Sequence, residues 1–134
     1  MNVFVNLPVA DLARSRAFFA ALGFKFDERF SDDTALGMKI SDTNFAMLLT
    51  HEKFAAFTPR KISDAHKTTE VLVALQLESR ADVNRMTETA FASGAGHVRE
   101  PEDHGFMYAQ AFADLDGHIW EPFWMDTAQM PAKG

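Results

Sequence analysis

A chain of 134 residues is long enough to bury about two-thirds of its unfolded surface, so one domain or two half-domains is the natural size. A net charge of −6, with no long basic run, excludes the electrostatic footprint of a nucleic-acid binder. The absence of cysteine excludes disulfides, a thiol nucleophile and thiolate metal sites, leaving His, Asp, Glu and Gln as the only metal ligands. Thirteen Phe against two Trp and one Tyr suit a folded globule with an apolar cavity or interface. The first residues lack a positive n-region, and no apolar run approaches the ~18 residues of a membrane span, so a soluble, cytoplasmic protein is expected.

Val3 to Leu7 is a short apolar run ended by Pro8 and reads as a strand buried on both faces. Asp11 is a good N-cap for a helix from Leu12 to Leu22, with Leu12, Phe19 and Leu22 at helical spacing and Gly23 as the stop. Phe24 to Phe30 alternates apolar and charged residues and predicts a half-exposed strand; Ala35 to Ile40 and Asn44 to Leu49 predict two more. Residues 51–68 mix charge, aromatics and a proline without a period, as a linker with a helical turn does. Glu70 to Leu77 then predicts a strand, and Ser79 caps a helix running to about Ser93, with Gly94 as its stop. His97 to Arg99 is a short strand, Pro101 to Gly105 a loop, Met107 to Ala113 a strand and His118 to Met125 the last. The order strand, helix, three strands thus occurs twice, in modules 1–50 and 69–126 separated by the linker 51–68, with a tail over 127–134 whose end is expected to fray.

The richest stretch is Phe112 to Trp124, a strand, an acidic turn closed by Gly117, and an aromatic strand that carries one carboxylate, Glu121. A lone acid among large apolar side chains needs a partner, a metal or a solvated cavity. If the turn pairs Ala113 with His118, Gln110 lies opposite Glu121 and Tyr108 opposite Phe123, so Tyr108, Gln110, Phe112, Ile119, Glu121 and Phe123 share one face. For Glu121 two readings stand level: a structural carboxylate bonded to Gln110 or Asn6, or a ligand-binding or catalytic group. His104, in the loop Glu102 to Phe106, is a candidate general base or ligand contact, against a solvated His beside two acids. His118 reads as a turn residue on the outer face, and no His pair has metal-ligand spacing.

The opening Leu7-Pro8-Val9-Ala10-Asp11-Leu12, the run Phe18-Phe19-Ala20-Ala21-Leu22-Gly23-Phe24 and the closing Asp114-Leu115-Asp116-Gly117-His118-Ile119-Trp120-Glu121 resemble the vicinal oxygen chelate superfamily, which includes glyoxalase I, extradiol dioxygenases and fosfomycin- and bleomycin-resistance proteins. The resemblance implies an α+β fold in which two βαβββ modules form a cupped, mostly antiparallel mixed sheet around a central cavity, with the helices outside. It implies metal ligands on strands one, four, five and eight. Here those positions fall on Phe4, on Met47 or Leu48, near Leu72, and on Glu121, so only Glu121 is a family ligand. With Glu121 facing the cavity, Phe4, Asn6, Tyr108, Gln110, Phe112 and Phe123 would line it, and Glu121 and His104 would be the catalytic candidates.

Two functions follow from this pattern. One is a glyoxalase or bleomycin-resistance-like protein that holds a small molecule in an aromatic cup with most metal ligands replaced. The other is a divergent metal-dependent lyase or isomerase, resembling lactoylglutathione lyase or a dioxygenase relative, that uses Glu121 with a divalent ion such as Zn, Ni, Mn or Fe. The expected partners are a small-molecule ligand and a second copy in a homodimer, with no nucleic acid and no membrane.

Overall fold

The computed structural model describes residues 1–131 and divides into two compact units, one spanning Met1–Thr68 and the other starting at Thr69. The last three residues of the tail expected to fray lie outside the described residues. Among the described residues no helix is long and apolar enough to cross a membrane.

The first unit comprises β1 (Val3–Val9), α1 (Leu12–Ala21), β2 (Lys25–Phe26), β3 (Ala35–Lys39), β4 (Asn44–Thr50) and the short α2 (His51–Ala55). Asp11 accepts a hydrogen bond from the Arg14 amide at 3.0 Å to cap α1, and Gly23 leaves the helix at φ 98°, a left-handed conformation that side chains resist. The sheet order is β1-β4-β3-β2, with β1 and β4 parallel and the rest antiparallel. Pro8 does not end β1 as expected: β1 is the end strand of its sheet, where a missing N–H costs little, and Pro8 pairs with Leu49. Burial of β1 on both faces holds only from Leu7 to Val9, and Val3 and Phe4 are exposed. The core of the unit is Phe18 and Phe19 of α1 with Leu36, Met38, Ala46 and Leu48 of the sheet.

The expected strand 24–30 stops at Phe26. Asp27 accepts from the Arg29 amide and binds its guanidinium at 2.7 Å, turning Glu28–Phe30 into a single 3-10 turn. Gly37 lets this turn lie close on β3, because a Cβ there would stand 2.7 Å from the Phe30 Cβ. Gly37 also ties the turn down, donating its amide to Ser31 Oγ at 3.0 Å and accepting from the Asp27 amide at 2.8 Å.

The second unit opens in the same way, strand then helix, but five strands follow where three are expected. β5 (Leu72–Gln76) leads to α3 (Arg80–Ala92), capped by Ser79 and left through Gly94 at φ 105°. β6 (Gly96–His97), β7 (Glu102–Asp103), β8 (Met107–Ala109), β9 (Phe112–Ala113) and β10 (Ile119–Met125) follow, the last before a 3-10 turn over Thr127–Gln129. β7 takes the place of part of the expected loop 101–105. β10 is central, parallel to β5 on one side and antiparallel to β8 and β9 on the other, while β6 and β7 flank β9 and β8. The expected strand 107–113 is therefore interrupted at Gln110 and Ala111. The reason is Pro122, which accepts from the Gln110 amide at 3.0 Å but has no N–H to return the bond. Trp120, Phe112 and Pro122 are fully buried on the face that α3 covers with Val83, Thr87 and Ala90.

Candidate functional site

The register of the last hairpin differs by one residue from the expected one. Ile119, not His118, lies opposite Ala113; Trp120 pairs with Phe112, Phe123 with Ala109 and Trp124 with Tyr108. Because side chains alternate, a slip of one residue exchanges the faces of the partner strand. Tyr108, Gln110 and Phe112 thus share the face of Trp120, Pro122 and Trp124, and Glu121 shares its face with Ile119, Phe123 and the small side chains Ala109, Ala111 and Ala113. The parallel pairing with β5 adds Leu72, Ala74 and Gln76 to the Glu121 face.

The expected partners of Glu121 are displaced accordingly. Tyr108 donates its hydroxyl to Asn84 Oδ1 at 2.6 Å, and Gln110 Nε2 reaches the same oxygen at 2.6 Å, so both fasten β8 and its continuation to α3. Phe112 is wholly buried in the core. In the first unit Phe4 stacks on Phe45 at 4.6 Å and meets the edge of Phe30 at 5.5 Å, and Asn6 is exposed opposite Met47, on the same face. Of the two residues expected at the strand-four position, Met47 lies on the face of Phe4 and Leu48 on the core face.

Glu121 has a partner that the sequence does not announce. Arg99 Nη2 lies 2.6 Å from Glu121 Oε2, with the two side chains 34% and 18% exposed. The edge of the sheet explains how Arg99 gets there. His97 pairs with Phe112 and Glu102 with Ala109, so five residue steps on the edge strand run against three on its neighbour. The surplus is a bulge containing Pro101, and it carries Arg99 toward a Glu121 that the register sets opposite Ala111. An alanine there leaves the way open, and the contact is a close ion pair. Arg99 Nε also stands 3.6 Å from Glu102 Oε1, and Glu102 Oε2 stands 3.6 Å from His104 Nε2. The two catalytic candidates, Glu121 and His104, are therefore the ends of one chain of polar contacts through Arg99 and Glu102, with His104 itself exposed beside Phe106.

Two further clusters hold this region in place. Asp114, 5% exposed, accepts from the amides of Asp116 and His118 at 2.9 and 3.0 Å and from Trp120 Nε1 at 2.9 Å. Burial pushes the Asp114 carboxyl above its ordinary range, against the opposing pull of His118 and of these hydrogen bonds. His118, expected on the outer face of the turn, is itself buried. At the other end, Arg80 forks onto Asp103 at 2.8 and 2.9 Å, donates to the Gly105 carbonyl at 2.8 Å and lies over the rings of Tyr108 and Trp124 at 5.1 Å each. The Arg80 guanidinium, helped by the Gly105 amide, lowers the Asp103 carboxyl to about 2. A concavity of about 370 Å³ lined by Gln76, Leu77, Glu78, Trp124 and Met125 adjoins this clamp and does not include Glu121.

The donor set does not suit the four-ligand metal site implied by the resemblance. Phe4 and Leu72 carry no metal-binding atom, Met47 offers only a soft thioether, Glu121 already lies against a guanidinium, and among the described residues no group of three His, Asp or Glu converges.

Comparison with known proteins agrees with this geometry at the level of fold. Residues 2–36 match a family described as bleomycin resistance protein-like N-terminal. A hypothetical protein of S. aureus, SA1046, superposes with a TM-score of 0.80 at 26% identity, over 92% of this chain and 93% of that one. A glyoxalase/bleomycin resistance protein/dioxygenase family enzyme of Burkholderia phytofirmans gives 0.75 at 17% identity, over 92% and 97%. The fosfomycin resistance protein FosX of Listeria monocytogenes, solved with Mn(II) and sulfate, gives 0.69 at 18% identity, over 95% and 91%. The search of curated proteins finds no match.

Proposed function

For a chain with the fold of the vicinal oxygen chelate superfamily, opening on a bleomycin-resistance-like segment, we propose binding of a small molecule at the Glu121 face, with no metal required there. The observation that carries this reading is the 2.6 Å contact between Arg99 and Glu121. A guanidinium seated on a carboxylate already supplies the positive charge that a divalent ion would otherwise bring, and repels that ion. In this proposal Glu121 and Arg99 are the polar contacts and Ile119 and Phe123 the apolar ones; Phe4 and Asn6 are proposed separately, as ligand contacts within the first unit taken by itself. Tyr108, Gln110 and Phe112 serve the packing of α3 instead. The protein is further proposed to be a cytoplasmic homodimer, which light scattering tests for assembly.

The retention of Glu121 at a ligand position supports a second reading, a divalent-metal lyase or isomerase in which Glu121 moves a proton next to a carbonyl. Metal content separates the two. Protein purified without an affinity-metal step and incubated with Zn²⁺, Ni²⁺, Mn²⁺ or Fe²⁺ is expected to hold well under one ion per chain by plasma mass spectrometry. About one ion per chain, lost in Glu121→Ala, would replace the first reading by the second.

A further inference from the structure

The small-molecule reading leaves open what the Glu121 face recognises, and the Arg99 contact narrows it. We infer that the Arg99–Glu121 pair recognises a neutral group carrying a hydrogen-bond donor beside an acceptor, an amide, urea or hydroxy-carbonyl, borne on an apolar body. This inference rests on the proposed binding role of that face.

Three observations carry it. The first is charge. Arg99 and Glu121 neutralise one another at 2.6 Å, so an ionic ligand gains one partner only by stripping the other of its own. Glu121 is 18% exposed, and a carboxylate left unpaired at that depth is costly. An anion gains little at Arg99 either, because Glu102 stands 3.6 Å from Nε and cancels part of the attraction. A neutral ligand avoids both penalties.

The second observation is the arrangement of donors and acceptors. The nearest approach of the pair is between Arg99 Nη2 and Glu121 Oε2. A carboxylate offers two acceptor oxygens and a guanidinium five N–H donors, more than one such contact uses. An adjacent N–H and C=O, as in an amide, satisfies both at once.

The third is what surrounds the pair. Ile119 and Phe123 flank Glu121 two residues away on either side of the strand, and Leu72, 52% exposed, lies beside Ile119 on β5. Ala109, Ala111 and Ala113 share that face and add almost no bulk above the strand. Apart from Gln76 beside Phe123, the result is an apolar surface around one polar pair, the pattern of a small-ligand site.

Three probes of one shape test the inference: benzamide, benzoate and benzamidine share a phenyl ring and differ in charge. Each is titrated into the intact ¹⁵N-labelled protein and read by amide shifts. Benzamide is expected to move Arg99, Ile119, Glu121 and Phe123 and to bind at least about threefold tighter than either ion. Glu121→Gln, which leaves Arg99 without its counter-charge, should shift the preference toward benzoate by about tenfold; Arg99→Gln should shift it toward benzamidine by a similar factor. Amide spectra of the two variants confirm that each remains folded. The inference is overturned if wild type prefers an ion, or if neither variant alters the ranking. If none of the three moves this face while a wholly apolar compound does, the inference fails and the small-molecule reading stands. If no compound moves it, both fall.

Discussion

The two units share a design and differ at one place. Both run strand, helix, strands, both cap the helix with a short polar side chain and leave it through a left-handed glycine, and both pair their first strand in parallel with their last. In both, the segment between the second strand and the third lays one side chain over the sheet. In the first unit that side chain is Phe30, at 5.5 Å from Phe4 and 5.9 Å from Phe45. In the second it is Arg99, on Glu121. The same topological position thus builds an aromatic corner in one unit and an ion pair in the other. The cause is how each segment departs from the edge strand. A 3-10 turn clamped on Gly37 points a ring inward in the first unit, and a two-residue bulge swings a long cation inward in the second. Topology fixes where something crosses the sheet; the local chain decides what chemistry crosses with it.

The largest effect that breaks the comparison is expected from Asp114, a buried staple, whereas Asp32 of the first unit accepts from the Thr34 amide and hydroxyl in an exposed turn. Asp114→Ala strands two backbone amides and the Trp120 indole in a buried turn and should cost about 3–5 kcal/mol in urea unfolding. The pH profile adds a sign. Because burial raises the Asp114 carboxyl, the native state holds its proton to higher pH than the unfolded chain does. The stability that this group contributes therefore falls as pH rises from the ordinary carboxylate range through the raised native value, and that slope should vanish in Asp114→Asn.

A middle-sized effect tests the first unit's version. Gly37→Ala places a methyl 2.7 Å from the Phe30 Cβ and 3.2 Å from the Asp27 carbonyl, so the turn must lift. The cost should be about 1–3 kcal/mol, with loss of the nuclear Overhauser contacts from Phe30 to Phe4 and Phe45. Unchanged contacts would mean that the turn does not depend on the missing Cβ.

The smallest effect sharpens the second unit's version. Asp103 is held at about 2 chiefly by the Arg80 fork. A lowered carboxylate contributes stability that is complete above its unfolded value and lost as pH falls through the folded one, so the clamp should persist down to about pH 2. Carboxyl ¹³C titration is expected to show that value in the wild type and a return toward the ordinary range in Arg80→Gln. No change on removing Arg80 would assign the shift to the Gly105 amide.

What was legible in the sequence follows the range over which each signal acts. Glu121 stands out because a lone acid in an aromatic strand demands a partner, but the sequence points to Gln110 or Asn6 and the structure supplies Arg99. The turn Asp114 to Gly117 suggests one register, but Asp114 accepts from Asp116 in the turn, from His118 just after it and from Trp120 on β10, and Ile119 rather than His118 is the first residue of β10 to pair. With a period of two, that single step sent Tyr108, Gln110 and Phe112 to the helix side. Phe4 and Asn6 carried the right parity with Met47 because β1 and β4 run without a bulge. Arg99 carried no signal. It sits 22 positions before Glu121 in a short stretch resembling many solvated edges, and only a bulge in the edge strand gives it reach.

The sequence by itself determined the features whose causes lie within a few residues: the helix caps at Asp11 and Ser79, the stops at Gly23 and Gly94, the repeated opening of strand then helix and the absence of thiol chemistry. Only the tertiary structure decided the hairpin register, the break that Pro122 forces in the strand beside it, and the meeting of Arg99 with Glu121. Caps and stops depend on one side chain and the backbone next to it, whereas register and ion pairing depend on how two distant strands align, and a slip of one residue changes every partner.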